Sequence, residues 1–76
     1  MDLQSIETDL RVALGDCTIE MDSEGNKLAI EIVSDVFEGL SRVKRQQLVY
    51  KALNARIESG EIHAVSMRTY SPEEAQ

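Results

Sequence analysis

The chain has 76 residues, of which 42% are hydrophobic, and its formal net charge is −6. This length is below the usual domain size, so we expect one domain over residues 1–76 with a single thin core of aliphatic side chains. The acidic balance argues against a general affinity for nucleic acid, because sequence-independent binding depends on basic residues that neutralise phosphates. No apolar run is long enough for a membrane span, and the acidic start is unlike a secretory signal, so we expect a cytosolic protein.

The start of the chain predicts a helix followed by a strand. Asp2 is a suitable N-cap, and apolar residues recur at helical spacing until Gly15 ends the helix. From Cys17 to Asp22 the apolar residues instead alternate with polar ones. This alternation is typical of a strand that has one face in water.

The next segment predicts a β-hairpin. Residues 23–26 form a turn cluster in which Gly25 and Asn26 are best able to take a positive φ angle. The alternating pattern then resumes through Leu28, Ile30 and Ile32. Residues 33–40 are expected to be irregular, with the second strand ending at 34–35.

The longest predicted helix runs from Arg42 to Glu58. Ser41 is a good N-cap for it, and the segment contains neither Gly nor Pro. Another short helix is expected to begin at Ser71, which is followed by a proline and two acids. The long helix has a main apolar stripe formed by Val43, Gln46, Val49, Tyr50, Leu53 and Ile57. A second, shallower apolar stripe is formed by Leu48, Ala52 and Ala55.

These elements predict an α+β fold with the order α-β-β-α-β(-α). A third strand is expected from Ile62 to Arg68, with His63, Val65 and Met67 on one side. If this strand is parallel to the second, the long helix is a right-handed crossover between them. The result is a three-stranded mixed sheet with the helices on one face. The other face should be open to water and carry Thr18, Glu20, Asp22 and Glu31.

His63 is the only histidine, so any general-base, metal or pH-sensing role near neutral pH falls to it. At the start of the third strand its ring should be half covered at the rim of the core, where it has either such a role or a simple bond to a backbone carbonyl. A nucleophilic pair with Cys17 is disfavoured, because the predicted sheet separates the two by about 16 Å at roughly 3.3 Å per residue. We therefore interpret Cys17 as a small core residue and expect no enzymatic activity.

The chain offers no complete metal site of its own. One His, one Cys and scattered carboxylates have no recognisable ligand spacing. If His63 binds a metal, another molecule must supply most of the ligands. Glu61, which is predicted to share the strand face of His63, either reaches the same site or is a solvated charge.

Five of the eight basic residues fall in the long helix, so a basic strip is possible on an acidic body. Arg42, Lys44, Arg45 and Lys51 are candidates to contact phosphate or the carboxylates of a partner. The alternative is a solvated face that balances nearby acids. No Gly-x-x-Gly phosphate clamp precedes the helix, which weakens the nucleic-acid interpretation.

Three stretches of the sequence together carry a specific resemblance. They are residues 33–50, with the motifs Phe-x-Gly-x-Ser and Arg-Gln-Gln-x-Val-Tyr, residues 62–67, which begin Ile-His-Ala, and Ser71-Pro72-Glu73. Over nearly its whole length the chain closely resembles the BolA family. Within that family it looks most like the acid-stress subgroup called IbaG.

This resemblance implies a class II KH-like fold without the nucleic-acid clamp. It also implies a monothiol glutaredoxin partner and a [2Fe-2S] cluster shared with it, and His63 matches the cluster-ligating histidine of the family. The family often has a second His or Cys ligand in the hairpin turn, where this chain has Asn26, Lys27 and Leu28. Cluster binding would therefore depend on His63 alone in this chain.

Two functional hypotheses follow. The first is a non-enzymatic adaptor that pairs with a monothiol glutaredoxin and shares a [2Fe-2S] cluster in iron-sulfur trafficking, iron homeostasis and stress response. The second is a DNA-binding transcriptional regulator that uses the basic helix from Arg42 to Arg56, although the chain stops before the basic tail usual in the family. Alone, the chain is expected to be a monomer or a weak homodimer.

Overall fold

The computed structural model describes all 76 residues. Two helices pack on a three-stranded sheet, and a short 3-10 helix joins the second strand to the second helix. The strand order is β1-β2-β3, in which β1 and β2 are antiparallel and β2 and β3 are parallel. The predicted α+β class and mixed sheet are confirmed. The elements in chain order are α1 Leu3–Leu14, β1 Cys17–Glu24, β2 Lys27–Ser34, the 3-10 helix Asp35–Phe37, α2 Arg42–Glu58 and β3 Ala64–Tyr70.

Side-chain caps begin both helices where the sequence predicted. The Asp2 carboxylate accepts a hydrogen bond from the Ser5 N–H at 3.1 Å, and the Ser41 hydroxyl accepts one from the Lys44 N–H at 3.2 Å. Each such cap typically contributes about 1 kcal/mol to stability. At its other end α1 stops at Gly15, which has a φ of +79°.

A two-residue loop, Gly25 and Asn26, joins β1 to β2. Glu24 pairs with Lys27, so β1 extends two residues beyond its predicted end. Gly25 has a φ of +60°, whereas Asn26 has no positive φ. Positive φ at the first loop residue alone is the arrangement of a type II′ turn, whose twist matches that of the flanking strands.

The core lies between the sheet and the two helices. Phe37, on the 3-10 helix, is completely buried and is the largest side chain in it. The 3-10 helix is itself capped, because the Val36 N–H donates to the Ser34 hydroxyl at 3.2 Å. The other buried apolar residues are Ile6, Leu10, Leu14, Leu28, Ile30, Ile32, Val49, Leu53 and Ile62.

The buried face of α2 differs from the predicted stripe. Val43 and Tyr50 are 62% and 40% exposed, so their assignment to the core was wrong. The covered stripe keeps Gln46, Val49, Leu53 and Ile57 from the prediction and adds Arg45 and Arg56. An arginine stands near each end of this stripe, and its charge is hydrogen-bonded within the chain. The apolar pattern therefore located most of the buried face and missed the two arginines at its edges.

The third strand begins two residues later than predicted. Ile62 is buried at 1% exposure although it precedes the strand, and His63 is exposed outside the strand's alternation. The predicted half-covered rim position of His63 was therefore wrong. On the water-facing side of the sheet, Thr18, Glu20 and Asp22 are exposed as predicted, while Glu31 is half-buried. No helix in the structure is long and apolar enough to cross a membrane.

Candidate functional site

His63 lies in the short connection between α2 and β3, beside the β1–β2 turn. The parallel pairing produces this position, because Ala64 at the start of β3 pairs with Lys27 at the start of β2. The residues that precede these two, His63 and Asn26, are therefore neighbours. The only imidazole of the chain is thus presented at the hairpin end of the sheet.

Two hydrogen bonds hold His63 to Asn26. The backbone N–H of His63 donates to the Asn26 carbonyl at 2.8 Å. The Asn26 side-chain nitrogen, Nδ2, lies 2.7 Å from Nδ1 of the imidazole. No hydrogen bond within the chain reaches the second ring nitrogen, Nε2, and the residue as a whole is exposed. One ring nitrogen is therefore engaged, and the other is available to an external group.

The connection that carries His63 is tied to both helices by Arg56. The guanidinium donates to the Asp9 carboxylate through Nε at 3.1 Å and Nη2 at 2.9 Å, and Nη2 also donates to the Ser5 hydroxyl at 2.6 Å. A third group, Nη1, donates to the Glu61 carboxylate at 2.8 Å. The bonds to Asp9, first, and to Glu61, second, raise the pKa of the Arg56 guanidinium above its usual value.

Glu61 is committed to this ion pair, with its side chain 35% exposed. The expectation that Glu61 and His63 share a strand face was wrong, since neither residue lies in β3. Ile62, between them, donates its backbone N–H to the Arg56 carbonyl at 3.1 Å and fills the core. Glu61 and Ile62 thus anchor the connection, and His63 projects from it.

Cys17 lies at the opposite end of the sheet. It pairs with Ser34, whereas His63 adjoins the end at Lys27, and the seven residue steps between them span roughly 23 Å at about 3.3 Å per residue. Cys17 is half-buried and packs against the core, as predicted. Burial is the main cause that raises the pKa of its thiol, so Cys17 is not an activated nucleophile.

The candidate basic residues of α2 divide into two groups. Arg42, Lys44 and Lys51 are exposed and form no ion pair in the chain, as is also true of Lys27 beside the hairpin turn. The Arg45 side chain, in contrast, is only 12% exposed. The prediction that Arg45 offers its charge to a partner therefore disagrees with its position.

Arg45 instead joins the end of the chain to the core. Its guanidinium donates to the Leu40 carbonyl at 2.9 Å, the Thr69 carbonyl at 3.3 Å and the Glu74 carboxylate at 2.6 Å, and it lies 5.9 Å from the centre of the Phe37 ring. Glu74 also accepts from the Ser71 N–H at 2.7 Å while its own N–H donates to the Ser71 hydroxyl at 3.4 Å, which is a capping box. The predicted helix start at Ser71 is thus a single capped turn.

Nowhere in the chain do three or more His, Cys, Asp or Glu side chains come together as a metal site. The sequence pattern marked Asn26 as a turn residue at a position without a cluster ligand, and it did not identify Asn26 as the partner of His63. The parallel pairing of β2 with β3 places the residue before each strand beside the other. The contact between Asn26 and His63 would therefore follow once the first residue of each strand is known. Arg56 was recognised only as one member of a basic strip. Two of its partners, Ser5 and Asp9, are distant in sequence, and the third, Glu61, lies outside regular secondary structure.

Comparison with known proteins agrees with this architecture. The family model for BolA-like proteins matches residues 10–74. The acid stress protein IbaG of Escherichia coli K12 is 36% identical over 74 residues, which cover 97% of this chain and 88% of IbaG. Among solved structures, a BolA homologue from Coxiella burnetii has a TM-score of 0.83 at 28% identity, covering 99% of this chain and 96% of that one. The BolA domain of SufE1 from Arabidopsis thaliana has a TM-score of 0.85 at 30% identity, with 93% and 92% coverage. The chain therefore belongs to the BolA-like protein family.

Proposed function

We propose that this protein is a non-enzymatic adaptor that pairs with a monothiol glutaredoxin and contributes His63 to a [2Fe-2S] cluster held between the two proteins. In this proposal the partner and its glutathione supply the remaining ligands. The cellular role is iron-sulfur trafficking and iron homeostasis under stress. The similarity to IbaG, which is named as an acid stress protein, supports the stress setting.

The observation that carries the proposal is the single exposed imidazole with one free nitrogen. Metal-ligating histidines usually hold one ring nitrogen in a hydrogen bond and bind metal through the other. In His63 the Asn26 amide lies against Nδ1 and Nε2 has no partner within the chain, so Nε2 is the nitrogen that would bind the metal. The residues present therefore fit a single cluster ligand, and they do not fit a cluster held by this chain alone.

The chain's own residues would orient this ligand. The backbone bond between His63 and Asn26 fixes the connection to the hairpin, and the Arg56 ion pairs fix its other side to the helices. Ile62, inserted in the core, prevents the connection from sliding along the sheet edge. An imidazole supported on both sides loses little conformational freedom when a partner engages it.

The test is reconstitution with a monothiol glutaredoxin, glutathione, iron and sulfide. The mixed complex is expected to give visible absorption and circular dichroism spectra that differ from those of the glutaredoxin homodimer. In His63→Ala the distinct spectrum should be lost. Asn54→Ala, an exposed α2 residue that makes no side-chain hydrogen bond, is the matched control and should behave like the wild type.

If His63→Ala gives the wild-type spectrum, His63 is not a ligand. If no complex with the glutaredoxin forms by size-exclusion chromatography under reducing conditions, with or without cluster, the adaptor role is refuted as well. Circular dichroism of the variant in the far ultraviolet shows whether its fold is intact.

A second candidate function, DNA binding, is favoured by the three exposed cations of α2 without ion-pair partners, Arg42, Lys44 and Lys51. Three phosphate contacts predict a slope of about −3 for log affinity against log salt. Charge reversal of all three to Glu should abolish a mobility shift of duplex DNA, whereas Arg68→Glu, on the sheet, should not. If no shift occurs at low salt, this candidate is excluded.

A further inference from the structure

The side chain of Asn26 sits against the one histidine that the proposed function uses. Its Nδ2 is 2.7 Å from the Nδ1 of His63, and the backbone carbonyl of Asn26 accepts a hydrogen bond from the His63 backbone N–H at 2.8 Å. One residue therefore fixes both the backbone and the ring of His63. Near the ring on another side is Gly60, whose missing Cβ would lie 3.9 Å from the ring carbon Cε1.

The 2.7 Å contact couples the orientation of the Asn26 amide to the position of the proton on the neutral ring. A neutral imidazole has one N–H donor and one acceptor nitrogen. When Nδ2 of the amide faces the ring, as in this structure, it donates, so Nδ1 is the acceptor and the ring proton is on Nε2. In this state the free nitrogen that faces solvent is a donor and has no lone pair for a metal.

The amide of Asn26 can also support the opposite state of the ring. Rotation of the amide by half a turn about its Cβ–Cγ bond exchanges Nδ2 for the acceptor Oδ1 at nearly the same place, since the two groups are almost equal in size. Oδ1 would then accept a hydrogen bond from Nδ1–H. The ring proton moves from Nε2 to Nδ1 through solvent without a net change in protonation, and the lone pair of Nε2 is exposed.

We propose that Asn26 is a positioning residue that stabilises each neutral tautomer of His63 in turn, so that its amide rotates when Nε2 becomes a ligand. This inference rests on the proposed function and names the residue that prepares the ligand. Aspartate at this place would support only the Nδ1–H state, because a carboxylate only accepts, and alanine would support neither. Asn26 has no positive φ, so the hairpin tolerates both replacements without backbone strain.

The first test uses the isolated protein without metal. Long-range ¹H–¹⁵N correlation of protein with labelled histidine, in mildly alkaline buffer, reports which ring nitrogen carries the proton. We expect the Nε2–H tautomer in the wild type, the Nδ1–H tautomer in Asn26→Asp, and the mixture of free histidine in Asn26→Ala. Glu24→Gln, a change in the same hairpin with no hydrogen bond to His63, should match the wild type. The same tautomer in all four proteins would overturn the inference.

The second test uses the reconstituted complex with a monothiol glutaredoxin. An imidazole whose Nδ1–H faces a carboxylate is a stronger electron donor. Asn26→Asp should therefore lower the reduction potential of the cluster relative to the wild type. Asn26→Ala should broaden the electron paramagnetic resonance spectrum of the reduced complex, because the His63 ring is then less fixed. Potentials and spectra identical in the three proteins would refute a positioning role.

The two tests separate the failure of this inference from that of the proposed function. If Asn26 sets the tautomer but His63→Ala leaves the cluster spectrum unchanged, the cluster assignment fails and the hydrogen bond remains. If His63→Ala removes the distinct spectrum but the tautomer does not respond to Asn26, the cluster assignment stands and the positioning role fails.

Discussion

Removal of the Arg56 guanidinium is expected to destabilise the fold by about 2 kcal/mol. The two carboxylates that it contacts, Asp9 and Glu61, are 46% and 35% exposed, so each pair is screened by water and contributes at most about 1 kcal/mol. The bond to the Ser5 hydroxyl adds about 1 kcal/mol, which is the typical net contribution of a hydrogen bond in a folded protein. For a domain of this size, a loss of 2 kcal/mol corresponds to a decrease in Tm of roughly 8–16 °C.

The assay is urea denaturation followed by circular dichroism on Arg56→Ala, Arg56→Lys and the control Arg42→Ala. Arg42 is exposed and has no ion pair, so its replacement should change the unfolding free energy by about 0.5 kcal/mol or less. Arg56→Lys should lie between the other two, because an ammonium cannot reach three acceptors at once. In Arg56→Ala the amides of Ile62 and His63 should also exchange with deuterium faster than the β1 amides. Equal free energies for Arg56→Ala and Arg42→Ala would refute the view that Arg56 holds the connection.

Three other predictions follow from local contacts. Ser41→Ala removes the cap of α2 and should lower the unfolding free energy by about 1 kcal/mol in urea, and an unchanged midpoint would contradict the capping role. The bond from Arg45, with that from the Ser71 N–H, lowers the pKa of Glu74 from 4.5 to about 2, so its contribution to stability is full above pH 4.5 and disappears as the pH falls toward 2. The difference in Tm between the wild type and Glu74→Gln should shrink over that window, whereas a constant difference would exclude the pairing. Iodoacetamide should modify Cys17 more slowly than the same thiol in urea-unfolded protein, since burial raises the pKa of the Cys17 thiol, and equal rates would show that it is accessible.

The sequence predicted the elements well where a cap or a breaker marked them. α2 runs from Arg42 to Glu58 in the structure as predicted, because the Ser41 cap and the absence of Gly and Pro are local properties of the sequence. The start of β3 was predicted too early because Ile62 looks like a strand residue. Its burial comes instead from filling the core ahead of the strand, which depends on tertiary packing.

The candidate site was only partly predictable for the same reason. His63 stood out as the single imidazole, and its separation from Cys17 followed from the strand order, although the longer strands place the two roughly 23 Å apart instead of about 16 Å. Its exposure and its bond to Asn26 depend on where β3 starts relative to the hairpin, a register that the alternation of short strands leaves uncertain by a residue or two. The roles of Arg45 and Arg56 could not be predicted, because their partners are separated from them by up to 29 residues for Arg45 and 51 residues for Arg56.

The direction of β3 has a practical consequence for how this protein is handled. The strand leads away from His63, so the capped turn at Ser71 and the last residue, Gln76, lie at the far end of the sheet. The opening turns of α1 lie instead near the connection, because Ser5 and Asp9 share Arg56 with Glu61. An affinity tag or fluorescent reporter is therefore best attached after Gln76, where it leaves the imidazole unobstructed, because one placed before Met1 would lie closer to His63.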